Sequence, residues 1–203
     1  MKIIAIGRNY AAHIDELHNE RPEEPIIFTK PDTALAKPNQ PFYIPDFSGD
    51  IHYEVELVLK ISKTGKNIHE KFAGRYYDSI GLGIDFTARD LQSKAKEKGL
   101  PWALAKGFDG SAPISDFFPI DRFPDLKNIN FSLWLDGEPR QKGNSSMMLF
   151  SFDHIVAYVS RFITLKEGDL IFTGTPKGVG SVKIGNKLVG YLEDEKVLEI
   201  EIK

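Results

Sequence analysis

The chain has 203 residues, 41% hydrophobic and 27% charged, with a formal net charge of -3, which is the composition of a folded protein long enough to bury a core. It contains no cysteine, so disulfides and thiolate sites are excluded and any bound metal must be held by oxygen or imidazole. No apolar run is long enough to span a bilayer, and the densest basic stretch, SKAKEKG at 93–99, reads as the solvated end of a helix, so neither membrane nor nucleic acid is expected as a partner.

In chain order, residues 2–6 form an apolar strand broken by Gly7 and Arg8, and NYAAHIDEL from Asn9 predicts a short helix with Asn9 as its cap. His13 and Glu16 lie three apart on that helix and share a face. A carboxylate beside an imidazole fixes its tautomer and raises its basicity, as a water-activating base requires; an exposed contact between helical neighbours has the same spacing. PIIFTK is a second strand. The proline-rich stretch 31–50 carries Phe42, Tyr43, Ile44 and Phe47 and reads as a loop wrapped on the body.

IHYEVELVLK at 51–60 alternates, with Tyr53, Val55, Leu57 and Leu59 on one side and His52, Glu54 and Glu56 on the other, the pattern of a half-buried strand. Neighbours on one face of a strand stand about 6–7 Å apart at the backbone, so the two glutamates either close on one cation or face water. EIEI at 199–202 repeats the spacing in what reads as a solvated terminal strand, so the spacing by itself is unspecific. DSIGLGIDFT is a buried strand that emerges at Asp85. This carboxylate either completes a three-carboxylate oxygen site suited to Mg2+ or Mn2+, or caps the next helix, ARDLQSKAKEKG, which Gly99 can end. Arg89 and Gln92 open that helix and Lys106 follows in PWALAKGFD; a cationic group beside a metal suits a chelating anion such as a 2-oxo acid, while Arg89 alone also fits a surface salt bridge.

ISDFFPIDRFPDLK is a second irregular wrap. Asp136-Gly137 between extended runs predicts a hairpin, and SFDHIVAYVSRFI an amphipathic helix capped by Ser151. DLIFTG, NKLVGYL and KVLEIEIK are strands. TGTPKGVG at 173–180 has its lysine before the second glycine and so is no P-loop; it is a glycine turn that either presents Thr175 and backbone N–H groups to a substrate carboxylate or is purely structural. Strands outnumber helices without alternating with them, so the expected class is α+β, mainly β, with an antiparallel or mixed sheet. Neither wrap divides the chain, and one domain over residues 1–203 is expected.

GRNYAAHIDEL, PIIFTKPDTAL, HYEVEL, GIDFTARDLQ, KGLPWALAKGFD and TGTPKGVG occur in an order that resembles the fumarylacetoacetate hydrolase family, in particular its single-domain acylpyruvases and oxaloacetate decarboxylases. The resemblance covers nearly the whole chain. It implies a mixed β-sandwich roll of the family's C-terminal-domain type, usually in a homodimer, with Mg2+ or Mn2+ on Glu54, Glu56 and Asp85. It further implies a His13–Glu16 dyad on a lid, a catalytic Lys106, and substrate contacts from Arg8, Lys30, Arg89, Gln92 and Thr175. The implied activity is metal-dependent hydrolysis of the C–C bond of acylpyruvates to pyruvate and a carboxylic acid, with oxaloacetate decarboxylation at the same site. Isomerisation or decarboxylation of unsaturated 2-oxo-diacids and tautomerisation of oxaloacetate are the alternatives within the family, and a non-catalytic binder of metal and keto acid is the alternative outside it. No leader is seen before GRNY, so a cytoplasmic location is expected.

Overall fold

The computed structural model describes residues 1–16, 20–36 and 40–203. Among the described residues the strands are β1 (Ile3–Gly7), β2 (Ile26–Lys30), β3 (Leu35–Ala36), β4 (Ile51–Tyr53), β5 (Val55–Ile61), β6 (Tyr77–Ile84), β7 (Thr87–Ala88), β8 (Ala112–Pro113), β9 (Phe118–Pro119), β10 (Asn130–Leu135), β11 (Glu138–Asn144), β12 (Leu170–Phe172), β13 (Gly180–Ser181), β14 (Lys187–Leu192) and β15 (Glu195–Glu201). The helices are α1 (Ala11–Glu16), α2 (Arg89–Lys98), α3 (Ala103–Lys106) and α4 (Phe152–Phe162).

Six strands form one mixed sheet in the order β2-β1-β12-β5-β6-β9, and four form a second in the order β11-β10-β14-β15. Strands β1 and β12 pair in parallel, while β5 and β6 are antiparallel neighbours at the centre of the larger sheet. Side chains alternate across that sheet. Ile4 and Ile6 of β1, Leu57 and Leu59 of β5, and Ile80 and Leu82 of β6 enter the main core with Phe131, Leu133, Leu188 and Leu198 of the second sheet and Ile155, Val156 and Val159 of α4. Ile3 and Ala5, Val58 and Phe172 enter a smaller cluster on the opposite face with Ala34, Ala112 and Ile114. The mainly β architecture expected from the sequence is therefore the one adopted. No helix among the described residues is long and apolar enough to cross a membrane.

Several local expectations hold. Asp136 and Gly137 turn the β10–β11 hairpin with φ of 53° and 83°, the two positive values of a type I′ turn. Ser151 accepts a hydrogen bond from the N–H of His154 at the start of α4, and α2 ends at Gly99. Phe42 stacks on Phe86 at 3.9 Å between centroids, although Tyr43 and Phe47 of the same wrap stay exposed.

Four expectations are corrected. The strand at 51–60 is not half-buried: every residue of β5 except Lys60 is buried, because sheet and cluster cover both faces. It is also two strands, since the chain leaves the small β13-β4-β7 sheet at Glu54 and joins the large sheet at Val55. Asn9 does not cap α1. Its side chain donates to the carbonyls of Phe150 and Thr173 and accepts from the N–H of Phe150, stitching the end of β1 to two distant loops; Leu17, at the end of the predicted helix, lies outside the described residues. Asp85 does not cap α2, whose N-cap is Ala88 without any side-chain bond.

Candidate metal centre and active site

The convergence of the three carboxylates follows from strand register. Val55 of β5 pairs with Ile84 of β6, and the N–H of Asp85 donates to the carbonyl of Glu54 at 2.8 Å. Glu54 and Asp85 are thus opposite one another where both strands leave the sheet, and Glu56 lies two residues along from Glu54. Carboxylate oxygens of Glu54, Glu56 and Asp85 lie within 4.8 Å of one another, and all three residues are buried. Burying an ionised group costs several kcal/mol, whereas each fully buried leucine or isoleucine contributes about 2 kcal/mol. The apolar rows of β5 and β6 offset that cost and hold the acidic groups in place.

Cations surround the cluster unevenly. Lys106 Nζ lies 2.8 Å from Glu54 Oε2, 2.6 Å from Asp85 Oδ2 and 2.6 Å from Thr87 Oγ1. Lys30 Nζ lies 2.7 Å from Asp85 Oδ1, and Arg89 donates through Nη2 to Glu54 Oε1 and through Nη1 to Gln92 Oε1. Glu56 accepts from the N–H of Gly174 at 2.7 Å, and among the described residues no cation stands within ion-pair distance of it. The electrostatics record the difference. Burial would raise the pKa of Glu54, but Lys106, Arg89 and His13 hold it well below the usual carboxylate range. Glu56 is pushed well above that range by burial, then by Asp85 and Glu54. Burial would lower Lys106, but Asp85 and Glu54 keep it raised and therefore cationic. A carboxylate without a cation inside an all-oxygen donor set fits a hard divalent ion, and Glu54, Glu56 and Asp85 are the residues that would hold it.

Above the carboxylates lies a cavity of about 40 Å³. His13, Arg8, Arg89, Gln92, Lys106 and Thr175 are all in its wall. His13 Nδ1 is 3.2 Å from Glu16 Oε2, and Glu16 in turn accepts from the N–H of Gly178 at 3.0 and 3.2 Å. Burial lowers the His13 pKa, against the raising influence of Glu54 and Glu16, so the imidazole is held neutral and oriented. Arg8 bends the chain out of β1 with φ of 58°, a left-handed conformation that costs a non-glycine residue about 1–3 kcal/mol.

Three readings of the sequence change here. Lys30 is absent from the cavity wall; it sits behind Asp85 and also donates to the carbonyl and hydroxyl of Ser111. Two N–H groups of the glycine turn do not point to open space: that of Gly174 holds Glu56 and that of Gly178 holds Glu16. Within the basic stretch assigned to solvent, Lys96 lines the cavity, along with Trp102, Phe28 and Ile6.

Gln141 was not legible as a site residue. Buried on β11, it accepts from the N–H of Val55 and donates to Thr175 Oγ1 and the carbonyl of Pro176, clamping the strand that bears the glutamates to the glycine turn. A glutamine in an exposed-looking hairpin strand carries no local signal of that role. The short helix α3, which aims Lys106, likewise escapes periodicity because it spans four residues.

The fumarylacetoacetate (FAA) hydrolase C-terminal family matches residues 2–203. The chain is 49% identical over 185 residues to a protein of Dictyostelium discoideum named oxaloacetate decarboxylase, mitochondrial, covering 91% of this chain and 85% of the relative. It is 44% identical over 186 residues to the mitochondrial oxaloacetate tautomerase FAHD1 of Bos taurus, covering 92% and 84%. Among solved structures, the fumarylpyruvate hydrolase of Pseudomonas aeruginosa in complex with Mn2+ and pyruvate superposes with a TM-score of 0.95 at 36% identity, covering all of this chain and 89% of that one. With the family matched along essentially its whole length, and relatives this similar in sequence and in fold, the chain belongs to the fumarylacetoacetate hydrolase family.

Proposed function

We propose that this chain is a metal-dependent enzyme of 2-oxo acids that hydrolyses acylpyruvates to pyruvate and a carboxylic acid and decarboxylates oxaloacetate at the same centre. The observation that carries the reading is the meeting, at one cavity, of the Glu54–Glu56–Asp85 cluster with an imidazole backed by a carboxylate. The names of the relatives support oxaloacetate as a substrate and those of the solved structures support an acylpyruvate.

A divalent ion, Mg2+ or Mn2+, bound by the three carboxylates supplies Lewis-acid stabilisation of negative charge on a carbonyl oxygen. The remaining work falls to side chains. His13, kept neutral by burial and oriented by Glu16, takes a proton from water. The hydroxide adds to the carbonyl carbon beyond C3, the bond from that carbon to C3 breaks, and C3 receives the electron pair and then the proton His13 had taken. One water is consumed, and pyruvate and a carboxylic acid leave. Lys106, held cationic by Asp85 and Glu54, faces the charge that builds on the keto-acid end, and Arg89, Gln92 and Thr175 orient that end. Loss of CO2 from oxaloacetate needs the same charge stabilisation but no water base.

A second reading, tautomerisation of oxaloacetate, is favoured by the name of the Bos taurus relative; it needs a proton moved between C3 and the C2 oxygen and no C–C bond cleavage. Pyruvate release from acetylpyruvate and from oxaloacetate, measured beside the keto–enol absorbance of oxaloacetate with Mg2+ or Mn2+ and again with EDTA, separates the readings. Pyruvate from both substrates, abolished by EDTA, is the expected result. Absorbance change without pyruvate leaves tautomerisation, and silence throughout removes catalysis. A homodimer of one-domain chains is part of the proposal, supported by the exposed Met147, Leu149 and Phe162 around α4, and light scattering at about twice the chain mass of 22.9 kDa tests it.

A further inference from the structure

Among the described residues, the one hydrogen bond to the Glu56 carboxylate comes from a peptide group. The N–H of Gly174 donates to Glu56 Oε2 at 2.7 Å, and the same peptide unit carries the carbonyl of Thr173, which accepts from Asn9 Nδ2 at 2.8 Å. A trans peptide unit is planar, with its N–H and C=O on opposite sides, so holding the carbonyl aims the N–H. Asn9 is fully buried, and its neighbours leave one orientation for the amide: Nδ2 also donates to the carbonyl of Phe150 at 3.1 Å, and Oδ1 accepts from the N–H of Phe150 at 2.8 Å. Thr173 is anchored on its other side, where its N–H and its hydroxyl donate to the carbonyl of Leu57 at 3.1 and 2.9 Å. Gly174 has φ of 100°, a region in which glycine rotates with little steric hindrance. The rotation of the peptide between them is therefore the loose joint, and Asn9 is the group that fixes it. The approach is close: a Cβ on Gly174 would stand 2.7 Å from the Cβ of Asn9.

We infer that Asn9 is a positioning residue for the metal centre: by holding the Thr173–Gly174 peptide it fixes Glu56 in the orientation that offers an oxygen to a divalent ion beside Glu54 and Asp85. Asn9 is not in the cavity wall and acts only through that peptide. Lys106 and Arg89 steady Glu54, and Lys106 and Lys30 steady Asp85, whereas Glu56 depends on the peptide alone among the described residues. Two hydrogen bonds in series through one peptide polarise each other, which strengthens the N–H as a donor to a charged carboxylate. The inference rests on the metal centre of the proposed function and is independent of which 2-oxo acid is turned over.

The test compares Asn9→Ala with Ser160→Ala, a control outside the cavity wall that removes the hydroxyl accepting from the buried N–H of Ile68 at 2.8 Å. Both variants lose a buried hydrogen bond, and denaturant unfolding is expected to register both. Calorimetric titration with Mn2+ is expected to show affinity weakened about tenfold or more in Asn9→Ala, the usual effect of removing a group that orients a metal ligand, and wild-type affinity in Ser160→Ala. Unchanged affinity in Asn9→Ala, or equal weakening in both variants, overturns the inference. Where Asn9→Ala does not fold, Asn9→Asp keeps the shape and the acceptor for Phe150 but lacks the donor to Thr173. Its added negative charge by itself would tighten a cation, so weaker Mn2+ binding supports the inference and unchanged or tighter binding overturns it. A readout without metal comes from the Gly174 amide in proton–nitrogen correlation spectra. Its resonance is expected to move upfield, and its exchange with solvent to quicken, in Asn9→Ala and not in Ser160→Ala. That result in a protein that binds no Mn2+ supports the orienting of Glu56 and defeats the metal centre of the proposed function; a wild type that binds Mn2+ with a Gly174 amide indifferent to Asn9→Ala defeats the inference alone.

Discussion

At the scale of single residues the dyad decides which reactions are open. Among the described residues His13 is the one imidazole in the cavity wall, and its partner Glu16 is itself held by the Gly178 N–H. Hydrolysis needs a base for water and decarboxylation does not, so His13→Gln is expected to lower acylpyruvate hydrolysis about a hundredfold or more and oxaloacetate decarboxylation less than tenfold, by parallel pyruvate assays. Equal losses sink that division of labour. The pH profile carries a sign. Burial lowers the His13 pKa, so the base stays deprotonated below the ordinary histidine value of 6.5 and the acid limb of hydrolysis falls below it. Glu16 raises that pKa; Glu16→Gln therefore moves the limb to still lower pH while the rate drops, and a limb that moves upward contradicts the pairing.

At the scale of elements, α1 and the glycine turn act on each other. Gly178 has φ of 97°, and a Cβ there would stand 2.2 Å from the carbonyl oxygen of Arg140, so any side chain displaces the turn that holds Glu16. Gly178→Ala is expected to lose hydrolysis in preference to decarboxylation, as Glu16 is released from its anchor. The clamp from β11 to β5 runs through Gln141. Gln141→Leu keeps the bulk but leaves the buried Val55 N–H unpaired, at a cost of about 1–3 kcal/mol that denaturant unfolding should register. Unchanged stability would mean that another group satisfies that N–H.

At the scale of the whole molecule, the fold buries Glu56 beside two other carboxylates with, among the described residues, no cation at ion-pair distance. Glu56 is raised above its unfolded value, so its contribution is complete below the ordinary carboxylate range and is lost as pH rises through the elevated pKa. The metal-free protein is expected to gain stability on Glu56→Gln at neutral pH. Mn2+ at a hundredfold excess over its dissociation constant should stabilise wild type by about 2.7 kcal/mol, reversed by EDTA and much reduced in Glu56→Gln. Thermal unfolding with and without Mn2+ checks both, and an unresponsive wild type removes the metal centre. Part of this molecule was legible in its sequence: the Asp136-Gly137 turn and the Ser151 cap through local signals, and the meeting of the three carboxylates and of His13 with Glu16 through six motifs in family order. Register and layering lay beyond it. That Glu54 faces Asp85 depends on which strand β6 pairs with. That Glu56 is buried rather than wet depends on a sheet and a cluster covering both faces of β5. The inward turn of Lys96, within a run that reads as solvated, depends on where α2 packs against Trp102. Sequence periodicity encodes which side of an element a residue occupies, but what lies on that side is set by segments far away in the chain, so the carboxylates of the acidic floor could be picked out by motif and the basic end of the cavity was decided by tertiary packing.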